Sequence, residues 1–449
     1  MNKTITPMTN KIAHFITNTD SSSIPNEVYQ HAKVALMDWI AVTIGGKDDS
    51  IIKKLIKYSD IEGGNPQATI IGYNFKKTIS QAALINGAAS HVLDYDDTLV
   101  SFMGHPSVTL FPSLLALAEW KGINGYDFLT AYIIGLQAGA TVGSCAGMEH
   151  YMAGWHATST LGHIASAAGC SRLLKLNEQQ TVYALGIAAT QSSGLKRVFG
   201  TMCKPFHAGK SSQSGMMSAL LAQDNFSSAN DILEGPHGFF NVLKGNVQDN
   251  ILELLGLGWD VVNLSQKYHA SCHATHSPIE ASMNIIKKNN IKIDDIKSIC
   301  VKSSQLALDA AGKNEIQSGM EGKFSIPYCI ANAIVTGITG NEAFSDNKIS
   351  NPEVKKLMKK VNVVLDHSKV GLEAHVELKT LTGYSYEDFS DILQKNPSLE
   401  IKKIKVKDKF FDLCKPQLGI EKTKAIACIV DSIENISNIN EITNLLRNS

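Results

Sequence analysis

The 449-residue sequence lacks any cysteine pair at C-x-x-C spacing, although it contains eight cysteines. Closely spaced cysteines are the usual ligands of structural zinc and iron–sulfur clusters, and regular cysteine frameworks form the disulfides of small secreted domains. The cysteines here are dispersed along the chain instead. This pattern is typical of reduced thiols in a cytoplasmic protein, and it argues against a disulfide framework, a zinc site or an iron–sulfur cluster.

The sequence also lacks an excess of charge of either sign, because 42 basic side chains balance 42 acidic ones. Surfaces that bind nucleic acid or membranes usually carry a basic excess, so we expect neither partner. Residues 1–6 show no apolar run of the kind that begins a secretory signal peptide. No internal repeat stands out, which argues against a solenoid.

Hydrophobic residues make up 44% of the chain, which is enough to form large cores. The longest apolar stretch, residues 128–148, carries a glycine at every fourth position: Gly135, Gly139, Gly143 and Gly147. In a helix these glycines would line one face and permit very close packing. The same spacing occurs in membrane helices, but the flanks are not those of a membrane span. We therefore predict a buried helix.

Helical periodicity dominates the first 260 residues and predicts helices over 80–92, 110–120, 126–140, 159–174, 178–189 and 211–222. After Trp259, alternating segments at 296–302 and 375–379 predict strands, and a helical pattern returns near residue 400. The sequence thus predicts a mainly α protein. Residues 1–265 and 396–449 would form a large all-α domain, and residues 266–395 a smaller α+β domain.

The carboxylates of Asp94, Asp96 and Asp97 and the hydroxyl of Thr98 follow the helix predicted over 80–92, and His105 comes shortly after. Acids clustered beside a histidine can support proton transfer at an enzyme site. If the segment stays helical, Asp94, Asp97 and Thr98 share one face. The alternative is an acidic cap for the next helix, with His105 in a loop.

Two further segments carry groups that could bind an anion. His156 stands just before a predicted helix, where a helix N-terminus attracts negative charge; a packed histidine bonded to the backbone is the alternative. Lys204 begins a basic segment, 204–210, which we interpret as a turn leading into the helix from Ser211. This turn could hold an anionic substrate, or it could be a solvated loop.

The segment 267–276 contains Lys267, Cys272 and three histidines, which at first sight suggest a metal site. The spacing of His273 and His276 lacks a second cysteine or a carboxylate pair, so we do not predict zinc. Tyr328 stands near another predicted helix start, where a core tyrosine with a bonded hydroxyl is the alternative. Taken together, the segments predict an anion-binding cleft between two domains.

In order and over nearly the whole chain, these segments resemble the MmgE/PrpD family, which includes 2-methylcitrate dehydratases, cis-aconitate decarboxylases and iminodisuccinate epimerases. The matching motifs lie at 94–98, 104–107, 154–156, 204–205, 233–238, 267–276 and 323–325. The resemblance implies a large helical domain built from both chain ends, a smaller α+β lid and a homodimer. It also implies catalysis without a metal or an organic cofactor.

By matching motif positions, the resemblance implies that the active site of a decarboxylase-like member is lined by Asp94, Thr98, His105, His156, Lys204, Lys267 and Tyr328. All three activities handle a proton at a carbon next to a carboxylate. Histidines suit this transfer at neutral pH, and lysines can hold carboxylates. The expected catalytic residues are His105, His156, Asp94 and Tyr328, and the expected substrate-binding residues are Thr98, Lys204, Lys267 and Cys272.

The sequence departs from the pattern of each activity at particular positions. Methylcitrate dehydratases tend to carry asparagine at the position of Asp96 and a tryptophan-rich segment in place of residues 99–103. Decarboxylase-like members tend to carry histidine at the position of Cys272. The resemblance therefore implies first a lyase that forms itaconate from cis-aconitate, with 2-methylcitrate dehydratase or iminodisuccinate epimerase as alternatives. A helical scaffold without chemistry is the alternative from another class, and it predicts that the histidines and lysines are replaceable.

Overall fold

A computed structural model of the protein describes residues 7–393 and 397–447. Within these ranges the α-helices are α1 Met8–Asn18, α2 Asn26–Gly46, α3 Ser50–Glu62, α4 Ile79–His91, α5 Ser107–Lys121, α6 Gly125–Met152, α7 Ala157–Leu173, α8 Glu178–Ala189, α9 Cys203–Gln223, α10 Phe239–Leu243, α11 Asp249–Glu253, α12 His276–Asn289, α13 Gln305–Ala311, α14 Gly319–Gly322, α15 Ile326–Thr336, α16 Asp346–Ile349, α17 Pro352–Met358, α18 Leu399–Leu418, α19 Ile420–Asp431 and α20 Asn440–Leu446. The strands are β1 Ala68–Thr69, β2 Lys76–Lys77, β3 Ile296–Ser303, β4 Val361–Leu365, β5 Ala374–Thr380 and β6 Ser385–Ser390. The predicted mainly α class is confirmed.

The described residues divide into two compact units. The first, which we call the helical unit, contains the residues up to Val92, Asp96–Gln266 and those from Leu399 onward. The second, the α+β unit, contains Leu93–Tyr95 and the described part of Lys267–Ser398. The predicted domain boundary at 395–396 and the N-terminal segment 1–6 lie outside the described residues.

Small residues let the central helices of the helical unit approach closely. A Cβ at Gly135 of α6 would lie 2.8 Å from the Cα of Gly169 in α7, and one at Gly143 would lie 2.3 Å from the carbonyl oxygen of Ser101. Helix α6 is long and apolar enough to cross a membrane, but 94% of its apolar 18-residue stretch is buried inside the protein. The predicted buried helix is thus confirmed. Gly147 is different, because its φ of 66° kinks α6 instead of extending the packing face.

The α+β unit is organised around a four-stranded sheet in the order β4-β3-β5-β6. Strand β4 runs parallel to β3, while β3–β5 and β5–β6 are antiparallel. The strands predicted at 296–302 and 375–379 are present as β3 and β5, and Gly383, with a φ of 91°, turns the chain into β6. Strand β4 was not predicted.

Two segments beside candidate site residues differ from what the sequence suggested. Helix α4 ends at His91, and Asp94 has a φ of 52°, so the condition for a shared helical face of Asp94, Asp97 and Thr98 is not met. A short polar side chain such as aspartate tolerates this left-handed conformation better than most residues. The basic segment 204–210 is not a turn but the beginning of α9. Pro205 fits there because the first turn of a helix does not need its backbone N–H.

Candidate active site

Four histidines of the helical unit lie side by side, and we call them the histidine cluster: His91, His105, His156 and His207. His91 is the last residue of α4, His105 precedes α5, His156 precedes α7, and His207 belongs to α9. The ring centroid of His91 is 4.6 Å from that of His105 and 6.1 Å from that of His156, which is 5.3 Å from that of His207. Three helix ends and one helix therefore meet at a single group of imidazoles.

Asp96 joins two members of the histidine cluster through one carboxylate oxygen. Its Oδ2 lies 2.9 Å from Nδ1 of His91 and 2.8 Å from Nδ1 of His105. The His91 contact is a well-formed hydrogen bond, while the His105 contact is equally short but less well aligned. Asp96 and His91 are each 1% exposed, whereas the His105 side chain is 13% exposed. His105 is thus the member of this trio that solvent or a ligand can reach.

The cluster's electrostatics keep two of its histidines neutral near pH 7. Burial lowers the pKa of His91 to about 4, although the Asp96 carboxylate opposes the shift. Burial, with the nearby His91 and Lys204, lowers the pKa of His156 well below its usual value. For Asp96, burial by itself would raise the pKa, but His105 and His91 together hold it well below the usual range. Asp96 is therefore an ionised carboxylate, while His91 and His156 are neutral imidazoles.

Three predicted site residues, His105, His156 and Lys204, lie close together in the helical unit. The backbone N–H of His105 donates to Oγ1 of Thr158, which fixes it against the first turn of α7. The buried Lys204 places its Nζ 5.5 Å from the ring centroid of Phe199, and that ring packs edge-on against His156. A cation and two imidazoles therefore share one neighbourhood, as an anion-binding proton-transfer site requires.

Thr98 also belongs to the helical unit, and its backbone is held by reciprocal hydrogen bonds of 2.9 Å with Ser265. This bridge follows the loop that carries Asp96. The loop is therefore tied down on the side of Thr98 as well as through the two histidines.

A buried polar network surrounds the neighbouring Asp97. Its Oδ2 accepts a 2.5 Å hydrogen bond from Oγ of Ser107, which also lies 2.7 Å from the hydroxyl of Tyr132. Asp38 and Lys409 form a buried ion pair of 2.7 Å between α2 and α18. Burial, with the charge of Asp38, raises the pKa of Asp97 to about 8. Asp97 is therefore a neutral acid at pH 7.

Replacing Asp97 with asparagine should change how stability depends on pH. The folded protein holds this proton up to about pH 8, while the unfolded chain releases it near pH 4. The folded state thus binds more protons between these values, and this group makes the free energy of unfolding fall as pH rises through that window. In urea unfolding, Asp97→Asn should have a higher free energy of unfolding than wild type. This difference should be larger at pH 8 than at pH 5 by roughly several kcal/mol.

The exposed Asp224→Asn is the matched control, and its difference from wild type should be the same at both pH values. An Asp97→Asn difference that is equally independent of pH would contradict a buried neutral acid at this position.

The α+β unit contains the other predicted site residues: Asp94, Lys267, Cys272 and Tyr328. Lys267 is 1% exposed; its Nζ donates to the carbonyl oxygen of Asp94 at 2.8 Å and lies 3.3 Å from Oδ1 of the same residue. Lys323 donates in the same way to the carbonyl oxygen of Leu93 at 2.5 Å. Two buried ammonium groups thus fix the strained backbone at Asp94.

Tyr328 is 1% exposed, and its hydroxyl donates a 2.5 Å hydrogen bond to the carbonyl oxygen of Ala343. Burial raises its pKa further above the usual value. These contacts are those of a core tyrosine, and a catalytic role for it stays a prediction. Cys272 is partly exposed, and its backbone N–H donates to the carbonyl oxygen of Lys323.

The three histidines of segment 267–276 are engaged within the α+β unit. Nδ1 of His269 lies 2.8 Å from Oγ1 of Thr339, and its Nε2 lies 3.2 Å from Glu280. The ring of His276 packs edge-on against His269 and His273, with centroids 4.8 and 4.7 Å away. Both nitrogens of His269 therefore already have partners, so it offers no lone pair to a metal without rearrangement.

His91, Asp96 and His105 each offer one ligand atom, and these atoms lie within 4.8 Å of one another, close enough to surround one cation. A tetrahedral zinc ion with bonds of about 2.0–2.1 Å would hold its ligand atoms roughly 3.3 Å apart. The spacings of 2.8 and 2.9 Å through Asp96 are shorter than this. They fit shared protons better than a metal.

His91 and Asp96 were not among the predicted site residues. The signal that could have found them is the spacing of His91 five residues before Asp96, directly after a small-residue helix. The spacing alone does not identify Asp96 as the partner of His91. The conformation of the loop after His91 determines which of the three aspartates contacts the end of α4.

Two domain models of one protein family match this chain, and so does a relative that covers nearly its whole length. The model of the MmgE/PrpD N-terminal domain matches residues 10–251, and that of the MmgE/PrpD C-terminal domain matches residues 269–435. The cis-aconitate decarboxylase-like protein oryM of Aspergillus oryzae is 26% identical over 98% of this chain and 97% of its own length.

Two further relatives carry different names. A cis-aconitate decarboxylase of Aspergillus terreus is 27% identical over 79% of this chain and 77% of its own length. A probable 2-methylcitrate dehydratase of Saccharomyces cerevisiae is 24% identical over 71% of this chain and 65% of its own. Because the two domain models together cover far more than half of the sequence, the chain belongs to the MmgE/PrpD family.

Proposed function

We propose that the protein is a lyase acting on a small di- or tricarboxylate, and that its reaction is the decarboxylation of cis-aconitate to itaconate. The observation that carries the proposal is the histidine cluster with the Asp96 carboxylate beneath it and Lys204 beside it. The relatives named cis-aconitate decarboxylases support the choice of substrate. The 2-methylcitrate dehydratase among the relatives keeps dehydration as the second candidate.

The proposed reaction needs one proton and no redox chemistry. The cis-aconitate trianion takes up one proton and gives the itaconate dianion and one CO₂. When the carbon–carbon bond to the leaving carboxylate breaks, its electron pair stays on the substrate as an enediolate-like charge. Fixed cations stabilise such a charge most in a site from which water is excluded.

We assign the proton to His105 and the anion contact to Lys204. Because Asp96 engages Nδ1 of His105, Nε2 is the ring nitrogen that exchanges a proton with the substrate carbon. The buried ammonium of Lys204 lies near His91 and His156, so a carboxylate bound to it would stand beside the cluster. His156 is the second candidate donor.

The remaining predicted properties extend this proposal. We propose catalytic roles for Asp94 and Tyr328 and substrate-binding roles for Thr98, Lys267 and Cys272, on the strength of the matching motif positions. A lid function for residues 266–395, a homodimer and a cytoplasmic location belong to the same proposal.

Lys204→Ala should raise KM about 10- to 100-fold, because a hydrogen bond to a charged group contributes about 1.5–3 kcal/mol. If Lys204 holds a carboxylate equally in the ground and transition states, kcat should change little. Steady-state kinetics on cis-aconitate would measure both constants. Lys210→Ala is the matched control, since Lys210 lies on the same helix but is exposed, and its Nζ donates to Oε1 of Gln213. An unchanged KM for Lys204→Ala would contradict the assigned contact.

Activity should survive exhaustive chelation, because the spacings around Asp96 fit protons better than a metal. We expect the rate on cis-aconitate after dialysis against EDTA to equal the rate before it. A loss that zinc or iron reverses would overturn the proposal of a cofactor-free reaction.

The proposed function is tested by incubating the purified protein separately with cis-aconitate, 2-methylcitrate and iminodisuccinate and following products by NMR. We expect itaconate from the first and no conversion of the other two. Dehydration of 2-methylcitrate or epimerisation of iminodisuccinate would replace the proposed reaction by the corresponding alternative. No conversion of any of the three would favour the scaffold interpretation.

A further inference from the structure

The Asp96 carboxylate contacts two histidines through the same oxygen, although only one of them, His105, has an exposed edge. One oxygen, Oδ2, serves two imidazoles, and both present the same nitrogen, Nδ1. The other oxygen, Oδ1, is buried and has no hydrogen-bond partner among residues 7–393 and 397–447. The side chain is 1% exposed. A buried charge placed in this way is costly unless its partners hold it in a defined orientation.

The two imidazoles are not equivalent. His91 has no exposed side-chain surface, so its ring is held by packing and by the 2.9 Å hydrogen bond that its Nδ1–H donates to Asp96. His105 has an exposed edge and the less well aligned contact. A neutral imidazole has one N–H, and the partner of one nitrogen decides which nitrogen carries it. A carboxylate can only accept, so it requires the proton on Nδ1.

We infer that Asp96 is a positioning residue that holds His105 in the Nδ1–H tautomer, and that His91 orients the Asp96 carboxylate for this task. The inference rests on the proposed function in that His105 is taken as the proton carrier. A proton on Nδ1 of His105 lies beside the Asp96 carboxylate, 2.8 Å from Oδ2, and in this tautomer Nε2 is the nitrogen that exchanges a proton with the substrate carbon. When His105 is protonated on both nitrogens, the same carboxylate stabilises the imidazolium.

Other charged groups face this pair from the neighbouring elements. Lys204 of α9 and His156 beside α7 act on His91, and Asp97 in the same loop and Lys409 of α18 lie within electrostatic range of Asp96. Lys409 favours the ionised form of Asp96, whereas Asp97 is neutral below about pH 8. The carboxylate is thus ionised across the neutral range, as the tautomer requires.

The first test measures the tautomer directly and needs no substrate. In protein labelled with ¹⁵N at histidine, long-range proton–nitrogen NMR distinguishes protonated from unprotonated ring nitrogens, and the signals of His105 are identified by their loss in His105→Gln. In wild type at neutral pH we expect His105 to carry its proton on Nδ1. A proton on Nε2 in the wild-type protein would overturn the inference, whatever the enzyme's activity.

The second test uses Asp96→Asn, whose amide NH₂ can donate to Nδ1 and so favour the opposite tautomer. We expect the His105 signals to change to the Nε2–H form and kcat on cis-aconitate to fall by about 10²- to 10⁴-fold, on the scale seen when a catalytic histidine is held in the wrong tautomer. KM should change less than threefold, because the Asp96 side chain is only 1% exposed. A normal kcat with a folded variant would contradict the positioning role.

His91 variants keep the inference testable if Asp96→Asn does not fold. His91→Asn retains an N–H donor for Asp96 and should keep most of kcat, while His91→Leu has none and should lose about tenfold or more. Equal kinetics and an unchanged His105 tautomer in both would overturn the role given to His91. If no carboxylate is converted by wild type, the proposed function fails while the tautomer measurement still decides whether Asp96 positions His105.

Discussion

His105→Gln should lower kcat on cis-aconitate by about 100-fold or more, which is the usual scale for loss of a general acid or base. Glutamine has similar length and can still contact Asp96, but its amide cannot exchange a proton near pH 7. The side chain is 13% exposed and belongs to no apolar helix face, so the variant should remain folded. Turnover measured at saturating substrate, with folding checked by circular dichroism, gives the result.

The matched control is His14→Gln on α1. His14 is an exposed histidine that also pairs with a carboxylate, since its Nδ1 lies 3.0 Å from Glu178. Its replacement should leave kcat unchanged. Near-normal turnover in folded His105→Gln would remove His105 from the mechanism and leave His156 as the proton carrier.

Gly209→Ala should destabilise the protein by about 3 kcal/mol or more, at the upper end of the cost of overpacking a core. A Cβ on Gly209 would lie 2.1 Å from the carbonyl oxygen of Leu84 and 3.0 Å from the backbone nitrogen of Ala88. Both atoms are backbone of α4, so no side chain can move aside. His91 is the last residue of α4, and Lys204 lies in the first turn of α9. Because a shift of either helix would move one of these residues, the variant should also lose activity.

Urea unfolding measures the effect on stability, with Gly258→Ala as the control. A Cβ at Gly258 would meet no atom of a non-adjacent residue within 4 Å in the described part of the chain, so this change should be close to neutral. Equal stability of the two variants would contradict the close approach of α4 and α9.

The sequence predicts most helices where local signals and tertiary packing agree. Residues 178–189 were predicted with the bounds that α8 has, and in the structure Asn177 and Gln180 form a reciprocal capping box at its start. The start of α9 was missed because Pro205 was interpreted as part of a turn, although proline is compatible with a first helical turn. Strand β4 was missed because its pairing with β3 is parallel and non-local.

In the candidate site, too, the sequence predicts some residues and misses those whose position depends on a loop conformation. His105, His156 and Lys204 are recognisable from motif positions, and the structure places them together in the helical unit. His91 and Asp96 depend on where the loop after α4 turns, which the left-handed conformation of Asp94 decides. No periodic pattern encodes that turn. His91 lies outside the matching motifs, and Asp96 lies inside the motif at 94–98 without a role assigned to it there.

We propose that this protein decarboxylates cis-aconitate with a proton supplied through the histidine cluster. The most direct measurement is NMR of the product formed from cis-aconitate in D₂O, because the one proton taken up must then be a deuteron. We expect itaconate carrying one deuterium at carbon and one equivalent of CO₂, with both strongly reduced in His105→Gln. Itaconate formation that is undiminished in folded His105→Gln, or the absence of itaconate from the wild-type reaction, would contradict it.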